Sequence, residues 1–285
     1  MILFPPAKIN LGLRVLRRRP DGYHDLSTVM MPTGWCDVLE IVPATSGETT
    51  LTTYGRPVAC PPESNLVMKA WRALCDELGE LPPVSIYLEK VIPDGAGLGG
   101  GSADAAYTLR GLDEVLGLGL GAARLRRVAA RVGADCAFFI GDGAALCTGT
   151  GADISAGVRI ALAGHTLVIA KPRGVSVSTA EAYRGVSLAP DAPDPTEVLG
   201  LDISLWPQAL VNDFETTVFA LHPEIASVKE QMYRGGALYA SMSGSGAAVY
   251  AIFADGVAAR DTRERLAGSC DTYISSLADV PAQSV

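Results

Sequence analysis

From residue 9 to residue 15 hydrophobic and polar positions alternate: Ile9, Leu11, Leu13 and Val15 are separated by Asn10, Gly12 and Arg14. That period predicts a half-buried strand and puts Lys8 and Asn10 on its polar face. Further short strands are predicted at about 27–31, 37–42 and 48–53, between Gly, Pro and Ser. The period then lengthens. Glu63-Ser64-Asn65 offers a cap, and Leu66, Val67, Ala70, Leu74 and Leu78 recur behind it at helical spacing. Val84, Ile86 and Leu88 alternate again with Ser85, Tyr87 and Glu89, so this strand has one buried face. Two helical patterns follow, through Ala105, Ala106, Leu109, Leu112 and Leu116, then through Leu125, Val128, Ala129 and Val132 to a stop at Gly133. Asp135, between that stop and the apolar run Cys136-Ala137-Phe138-Phe139-Ile140, is either a helix cap or a working group.

Two or three short strand-like pieces carry the chain to residues 167–170, and Ser178-Thr179-Ala180-Glu181 has the form of a capping box before Tyr183. Residues 185–200, with Pro190, Pro193 and Pro195 among acidic residues, predict an exposed loop. Helical spacing returns over about 205–220 and again between His222-Pro223 and Gly235-Gly236. Leu238, Ala240 and Met242, then Val249, Ala251 and Phe253, predict two strands joined through Ser243-Gly244-Ser245-Gly246. A helix near 257–267 and a strand near 271–277 complete an order of strand, helices, two strands, helix, strand, which is that of a split β-α-β layer. No internal repeat or low-complexity tract interrupts it.

Neither period describes residues 93–106. Five glycines in seven residues, 95 to 101, are followed at once by strong helix formers. A loop without side chains lets backbone N–H groups converge, and the following helix N-terminus adds free donors and partial positive charge. That combination binds phosphate. A flexible surface turn is the plainer alternative.

Composition narrows the partners. A chain of 285 residues suits two compact domains, or one large one, and with 48% apolar and 19% charged residues it reads as an ordered globular protein. A formal charge of −8 argues against a sequence-independent grip on nucleic acid. Six cysteines form no Cys-x-x-Cys pair or zinc spacing, which predicts buried free thiols in a reducing compartment. The first residues lack a basic segment and an unbroken apolar run, and no stretch reaches membrane-spanning length. A cytoplasmic protein with no membrane partner, monomeric or weakly dimeric, is the expectation. Arg17-Arg18-Arg19 is a basic run that either steers anions locally or is plain solvated charge.

Gly95, Gly97 and Gly100 satisfy G-x-G-x-x-G, but a dinucleotide fold needs a doubly buried strand before the loop and an acidic strand end about twenty residues beyond it. The preceding strand is one-sided, and Asp113 and Glu114 fall inside a helical pattern. No Gly-Lys-Ser/Thr occurs, no His-Arg-Asp occurs, and Asp213-Phe214 is followed by Glu215 instead of glycine. A phosphate loop opening a helix with Ser102 remains.

Pro93-x-Gly-x-Gly-Leu-Gly-Gly-Gly-Ser-x-Asp-Ala-Ala resembles the second motif of the small-molecule kinases grouped as galactokinase, homoserine kinase, mevalonate kinase and phosphomevalonate kinase, the GHMP superfamily. Pro6-Ala7-Lys8-Ile9-Asn10-Leu11 resembles the first motif and Met242-Ser243-Gly244-Ser245-Gly246 the third, in the right order over nearly the whole chain. Asp21-Gly22-Tyr23-His24, Gly133-Ala134-Asp135 and Asn212-Asp213 are similar to the branch that phosphorylates the 2-hydroxyl of a methylerythritol carrying a cytidine diphosphate, in non-mevalonate isoprenoid synthesis. Asp94, Ala96 and Ala103 depart from that pattern, and Asp94 is expected to point to solvent.

The resemblance implies an α+β fold, with an ATP-binding domain over residues 1–155 and a substrate-side, ferredoxin-like domain over 156–285. It implies ATP bound by Pro93, Asp94, Gly95, Ala96, Gly97, Leu98, Gly99, Gly100, Gly101, Ser102 and Ala103. Mg²⁺ is expected to be held mainly by the phosphates, with Ser102 as the neighbouring hydroxyl and no direct protein cluster. Lys8 and Asp135 are the implied catalytic residues. The cytidine diphosphate sugar alcohol falls to Asn10, Tyr23, His24, Tyr183, Ser243, Gly244, Ser245 and Gly246, with Tyr23 and Tyr183 around the base and His24 at its edge. Taken singly, each residue has a plainer reading: a solvated strand lysine, a cap, a turn tyrosine, a core tyrosine, a surface histidine, a strand-edge amide and a tight turn. Two functional alternatives stay open, a kinase of the same superfamily with homoserine, mevalonate or a sugar as acceptor, and a non-catalytic nucleotide- or dinucleotide-binding protein.

Overall fold

A computed structural model describes residues 1–45, 47–155 and 157–283. After the short β1 (Ile2–Leu3), the predicted first strand runs as β2 (Pro6–Arg18) and turns at Pro20-Asp21-Gly22 into its antiparallel partner β3 (His24–Cys36). Next come β4 (Val38–Pro43) and β5 (Thr50–Gly55). Asn65 then caps α1 (Leu66–Leu78) by accepting from the Val67 N–H. β6 (Val84–Lys90) is one-sided as its alternation requires, and it enters the glycine loop. The loop opens α2 (Gly100–Val115), followed by α3 (Gly121–Val132), β7 (Ala145–Gly149) and β8 (Asp153–Ser155).

The second half begins with β9 (Thr166–Pro172) and α4 (Thr179–Tyr183), capped by Ser178. α5 (Pro195–Leu199), α6 (Trp206–Ala209), α7 (Glu215–Leu221) and α8 (Pro223–Arg234) lead to β10 (Tyr239–Met242) and β11 (Val249–Phe253). α9 (Gly256–Leu266) and β12 (Cys270–Ser276) close the fold.

Among the described residues the strands form three four-stranded sheets in the orders β1-β4-β6-β5, β2-β3-β7-β8 and β10-β11-β9-β12. The last is wholly antiparallel, and its order is that of the split β-α-β layer expected from the sequence. Leu39, Ile41, Ile86 and Leu88 of the first sheet pack on Val67, Leu74, Leu109 and Val128 of the helices. Ile9, Leu11 and Val29 of the second sheet meet Ile169, Tyr250 and Ile252 of the third. The opposite face of the third sheet, through Val168, Val249 and Ala251, is covered by Val228, Met232, Ala259 and Leu266.

Four expectations change. β2 is not half-buried: its polar face is sealed too, leaving Lys8 3% and Asn10 1% exposed. Residues 185–200 are not all loop, because Asp194 caps α5 with Pro195 at its first turn, and Val198 is buried against the second core cluster. The helical pattern over 205–220 is broken, since Leu13 N–H donates to Val211 O and Asp213 N–H to Leu13 O, both at 2.9 Å, which pulls the segment out against β2. Of the cysteines, Cys136, Cys147 and Cys270 are buried, Cys36 and Cys75 are half-buried, and Cys60 is exposed. No helix among the described residues is long and apolar enough to cross a membrane.

Candidate active site

The glycine loop owes its course to glycine at particular positions. Gly95, Gly97 and Gly99 hold φ of +60°, +71° and +70°, a region that penalises any Cβ. Alternate residues in this region turn successive N–H groups to one side. Space imposes a second demand: a Cβ on Gly97 would overlap the Ser243 carbonyl, and one on Gly99 would meet Phe139 Cζ at 3.0 Å and Lys8 Cγ at 3.1 Å. The loop lies on the Ser243–Gly246 turn, with Ser243 Oγ donating to Gly97 O at 2.8 Å and Ala248 N–H to Ala96 O at 3.0 Å. Lys8 N–H donates to Leu98 O at 2.8 Å, which fixes the loop against β2. The first bond of α2 runs from Ala103 N–H to Gly99 O at 2.9 Å, so the N–H groups of Gly100, Gly101 and Ser102 are free of the helix ladder.

Lys8 and Asp135 come together from distant parts of the chain. Lys8 Nζ donates to Asn10 Oδ1 at 2.6 Å and stands 3.4 Å from Asp135 Oδ2. The 3₁₀ turn Phe138–Ile140 carries no side-chain cap, so the capping alternative is not realised and the Asp135 side chain stays 28% exposed at the cleft. Asn10 Nδ2 donates to Thr28 Oγ1 at 3.0 Å, which orients the amide so that its oxygen meets the lysine. Cys136 and Cys147 lie nearby, and burial pushes both thiols up to about 12, which removes thiolate chemistry.

Lys8, Asn10, Thr28 and Asp135 line one cleft of about 1140 Å³. Its walls include Lys8, Asn10, Tyr23, His24, the loop from Pro93 to Ser102, Asp135, Tyr183, Gly244, Ser245 and Gly246. Ala103 and Ser243 are not on that lining: Ala103 is fully buried in α2 and the Ser243 hydroxyl is committed to Gly97 beneath the loop. Asp94 is exposed at the rim. At the far wall the His24 and Tyr183 rings are stacked, 4.6 Å between centroids at 20°, and Tyr183 meets Phe214 edge-on at 4.8 Å. Tyr23 stands at the mouth, 66% exposed. Of the basic run, Arg17 pairs with Asp25 while Arg19 reaches Asp21 and Asp25 at 3.1 Å, and hydrogen bonds from Arg17 and Arg19 hold the Asp25 carboxyl below its usual range.

Several further residues hold the site together, some of them inside the motifs and others in no local pattern. Asn212 Nδ2 donates to Met242 O at 2.8 Å and Gly244 O at 2.9 Å, pinning the turn under the loop. Phe214 backs Tyr183, yet in the sequence it is one apolar residue of a broken helical pattern. Lys90, Asp37 and Asp104 form a buried cluster under the loop, with Lys90 Nζ donating to Asp37 Oδ2 at 2.5 Å and Asp104 Oδ2 at 2.7 Å. Burial opposes the Lys90 charge, but Asp104 and Asp37 outweigh it and hold its pKa above the ordinary value. Burial also pushes Asp104 up to about 8, against the pull of Lys90 and with the push of Asp37. Its place in the Ser-x-Asp-Ala-Ala motif was the available signal.

Comparison with known proteins bears on this cleft. Residues 65–150 match the model of the GHMP kinases N terminal domain and residues 199–271 that of the GHMP kinases C terminal. The chain is 47% identical to the 4-diphosphocytidyl-2-C-methyl-D-erythritol kinase of Parabacteroides distasonis, over 89% of this chain and 92% of that one. It is 36% identical to the enzyme of that name from Bacillus subtilis, over 93% of this chain and 92% of that one. Among solved structures, a 4-(cytidine 5'-diphospho)-2C-methyl-D-erythritol kinase superposes with a TM-score of 0.78 at 30% identity, covering 100% of both chains. A homoserine kinase from Cytophaga hutchinsonii shares the fold at a TM-score of 0.71 and 20% identity, over 98% of this chain and 96% of that one.

Proposed function

The chain belongs to the GHMP kinases and, within them, to the 4-diphosphocytidyl-2-C-methyl-D-erythritol kinases, and on that footing we propose that it transfers the γ-phosphoryl group of ATP to the 2-hydroxyl of 4-diphosphocytidyl-2-C-methyl-D-erythritol. The product serves non-mevalonate isoprenoid precursor synthesis. One observation carries the reading: a Lys8–Asp135 pair at 3.4 Å shares a cleft with a glycine loop at a helix N-terminus and with a stacked aromatic wall.

Phosphoryl transfer needs charge neutralisation and an aligned acceptor oxygen more than covalent help. The free N–H groups of Gly100, Gly101 and Ser102 and the dipole of α2 supply the first at the β- and γ-phosphates. Asp135 accepts the hydrogen bond of the acceptor hydroxyl and, as the new P–O bond forms, its proton. Lys8, held by Asn10, keeps that carboxylate aimed and stabilises charge on the transferring oxygens. The cytosine ring is expected against His24, Tyr183 and Tyr23, where a flat π face meets aromatic surface and a polar edge meets the imidazole.

The donor set suits Mg²⁺ carried in with the nucleotide. Among the described residues no group of three His, Cys, Asp or Glu could hold a cation by itself, while the Ser102 hydroxyl lies in the first turn of α2. Bound with the nucleotide, such a cation would have Ser102 as its neighbouring hydroxyl and would supply positive charge to the phosphates. We place the protein in the cytoplasm, acting on a small molecule without nucleic acid or membrane. The division after residue 155 leaves the ATP loop, Lys8 and Asp135 on one side and Tyr183 and the Ser243–Gly246 turn on the other.

Turnover of ATP with the cytidylated acceptor, homoserine, mevalonate and galactose tests the assignment. Strong preference for the cytidylated acceptor is expected. Equal use of another acceptor, or ATP binding with no transfer to any of them, overturns it.

A further inference from the structure

Beneath the glycine loop, away from the cleft, lies the cluster of Lys90, Asp37 and Asp104, whose side chains are 3%, 0% and 3% exposed. Asp37 Oδ1 accepts from Val91 N–H at 2.6 Å and Ile92 N–H at 2.8 Å, the last two residues before Pro93. Its other oxygen takes Lys90 Nζ, which reaches on to Asp104 in the first turns of α2. One ammonium therefore joins the entrance of the loop to its exit. Its place is directly under the first helical residue, since a Cβ on Gly100 would lie 3.4 Å from Lys90 Nζ and 3.0 Å from Ile92 Cγ2. The arrangement is costly as a mere core filler: two buried carboxyl groups share one ammonium, and Asp104 Oδ1 is buried with no hydrogen-bond partner among the described residues. Apolar residues of similar volume usually stabilise a core as well or better than a buried ion cluster.

We propose that Lys90 is a positioning residue for phosphoryl transfer, setting the span of the glycine loop by tying Asp37 at its entrance to Asp104 at its exit. This rests on the reading of the loop as the ATP cradle. Glycine-rich backbone has more freedom to lose than any other, and a loop with both ends fixed loses less of it on closing around phosphates. The tie acts on ATP and not on the cytidylated acceptor, which is bound by the opposite wall of the cleft.

The test removes the tie without leaving a buried unpaired charge. In the neutral variant Asp37→Asn/Lys90→Met/Asp104→Leu, the amide introduced in place of the Asp37 carboxylate keeps an oxygen for the two N–H groups while the link to α2 is gone. The expected result is a KM for ATP raised roughly tenfold or more, a KM for the cytidylated acceptor within about twofold of wild type, and faster amide exchange confined to residues 91–104. Unchanged KM for ATP together with unchanged exchange there overturns the proposal. Should that variant not fold, Asp104→Ala, which spares the Lys90–Asp37 pair, decides by the same two readings. Asp104→Asn still accepts from Lys90 and is expected to keep the wild-type KM for ATP; a tenfold loss there also counts against it. Wild-type protein measured alongside separates the two levels. Lack of ATP turnover in it sinks the proposed function, whereas loop exchange reads the tie without any nucleotide.

Discussion

Two lysines stand on the two sides of the glycine loop, and each faces carboxyl groups, yet their surroundings differ. Lys90 is locked to Asp37 and Asp104 at 2.5 and 2.7 Å, with all three side chains buried. Lys8 is equally buried, but its carboxylate partner lies 3.4 Å away and is 28% exposed to the cleft. In the first cluster the cation is spent on protein groups. In the second it is held by Asn10 and left with room for one more anion. The difference shows what a reactive polar cluster needs beyond its residue types: one face open to substrate and donors not already satisfied.

Substitutions that cross the two clusters break or sharpen that contrast. The largest expected effect is on turnover, where Asp135→Asn should lower kcat by about 10²–10⁴-fold, the range for a lost acid–base group, while the melting temperature stays put. A coupled ATP assay beside a thermal melt reads both; a near-normal kcat would refute the role. Next in size is stability. Lys90→Met leaves the Asp37 carboxylate buried without a cation, beside the protonated Asp104 carboxyl, and should cost about 3–5 kcal/mol in urea unfolding. Lys8→Met, beside a partly hydrated carboxylate, should cost much less stability and lose activity instead. Equal losses of stability from the two would erase the distinction. Tyr183→Ala should raise the KM for the cytidylated acceptor by about 5–100-fold, the value of one aromatic–base stack, and leave the KM for ATP alone.

The last effect is one of pH. Asp104 has its pKa raised from 3.8 to about 8 by burial, with Lys90 and Asp37 facing it. Below its ordinary value the group is protonated whether the chain is folded or not. Between that value and about 8 the unfolded chain gives up the proton while the folded one retains it, so this group lowers stability as pH rises and levels off above about 8. Asp104→Asn has no such slope. Its melting temperature should gain on the wild type from about pH 5 to about pH 8 by roughly ten degrees, and parallel curves would show that the carboxyl is not held up.

The elements with the strongest periodicity were legible in the chain itself. β6 alternates because one of its faces meets α1 and α2, and α1 begins where Asn65 caps it; both follow from local chemistry. The break at residues 210–214 was not legible, because what ends the helical pattern is pairing with Leu13, about two hundred positions away. Asp194 and Pro195 did carry a local start signal for α5, outweighed in a stretch dense with proline.

For the site, the glycines, Ser102 and the loop-to-helix step are dictated by the sequence, since positive φ and an uncapped helix start depend only on nearby residues. That Lys8, Asn10, Asp135, His24 and Tyr183 belong beside them was visible only as a set of motifs. Tertiary structure alone decided that the polar face of β2 is sealed, that Ser243 holds the loop from beneath, and that Lys90 is closed off by two carboxyl groups while Lys8 faces a carboxylate at the cleft. Burial and distance between residues far apart in sequence govern whether a charge is spent or available, and neither is written in any single stretch of the chain.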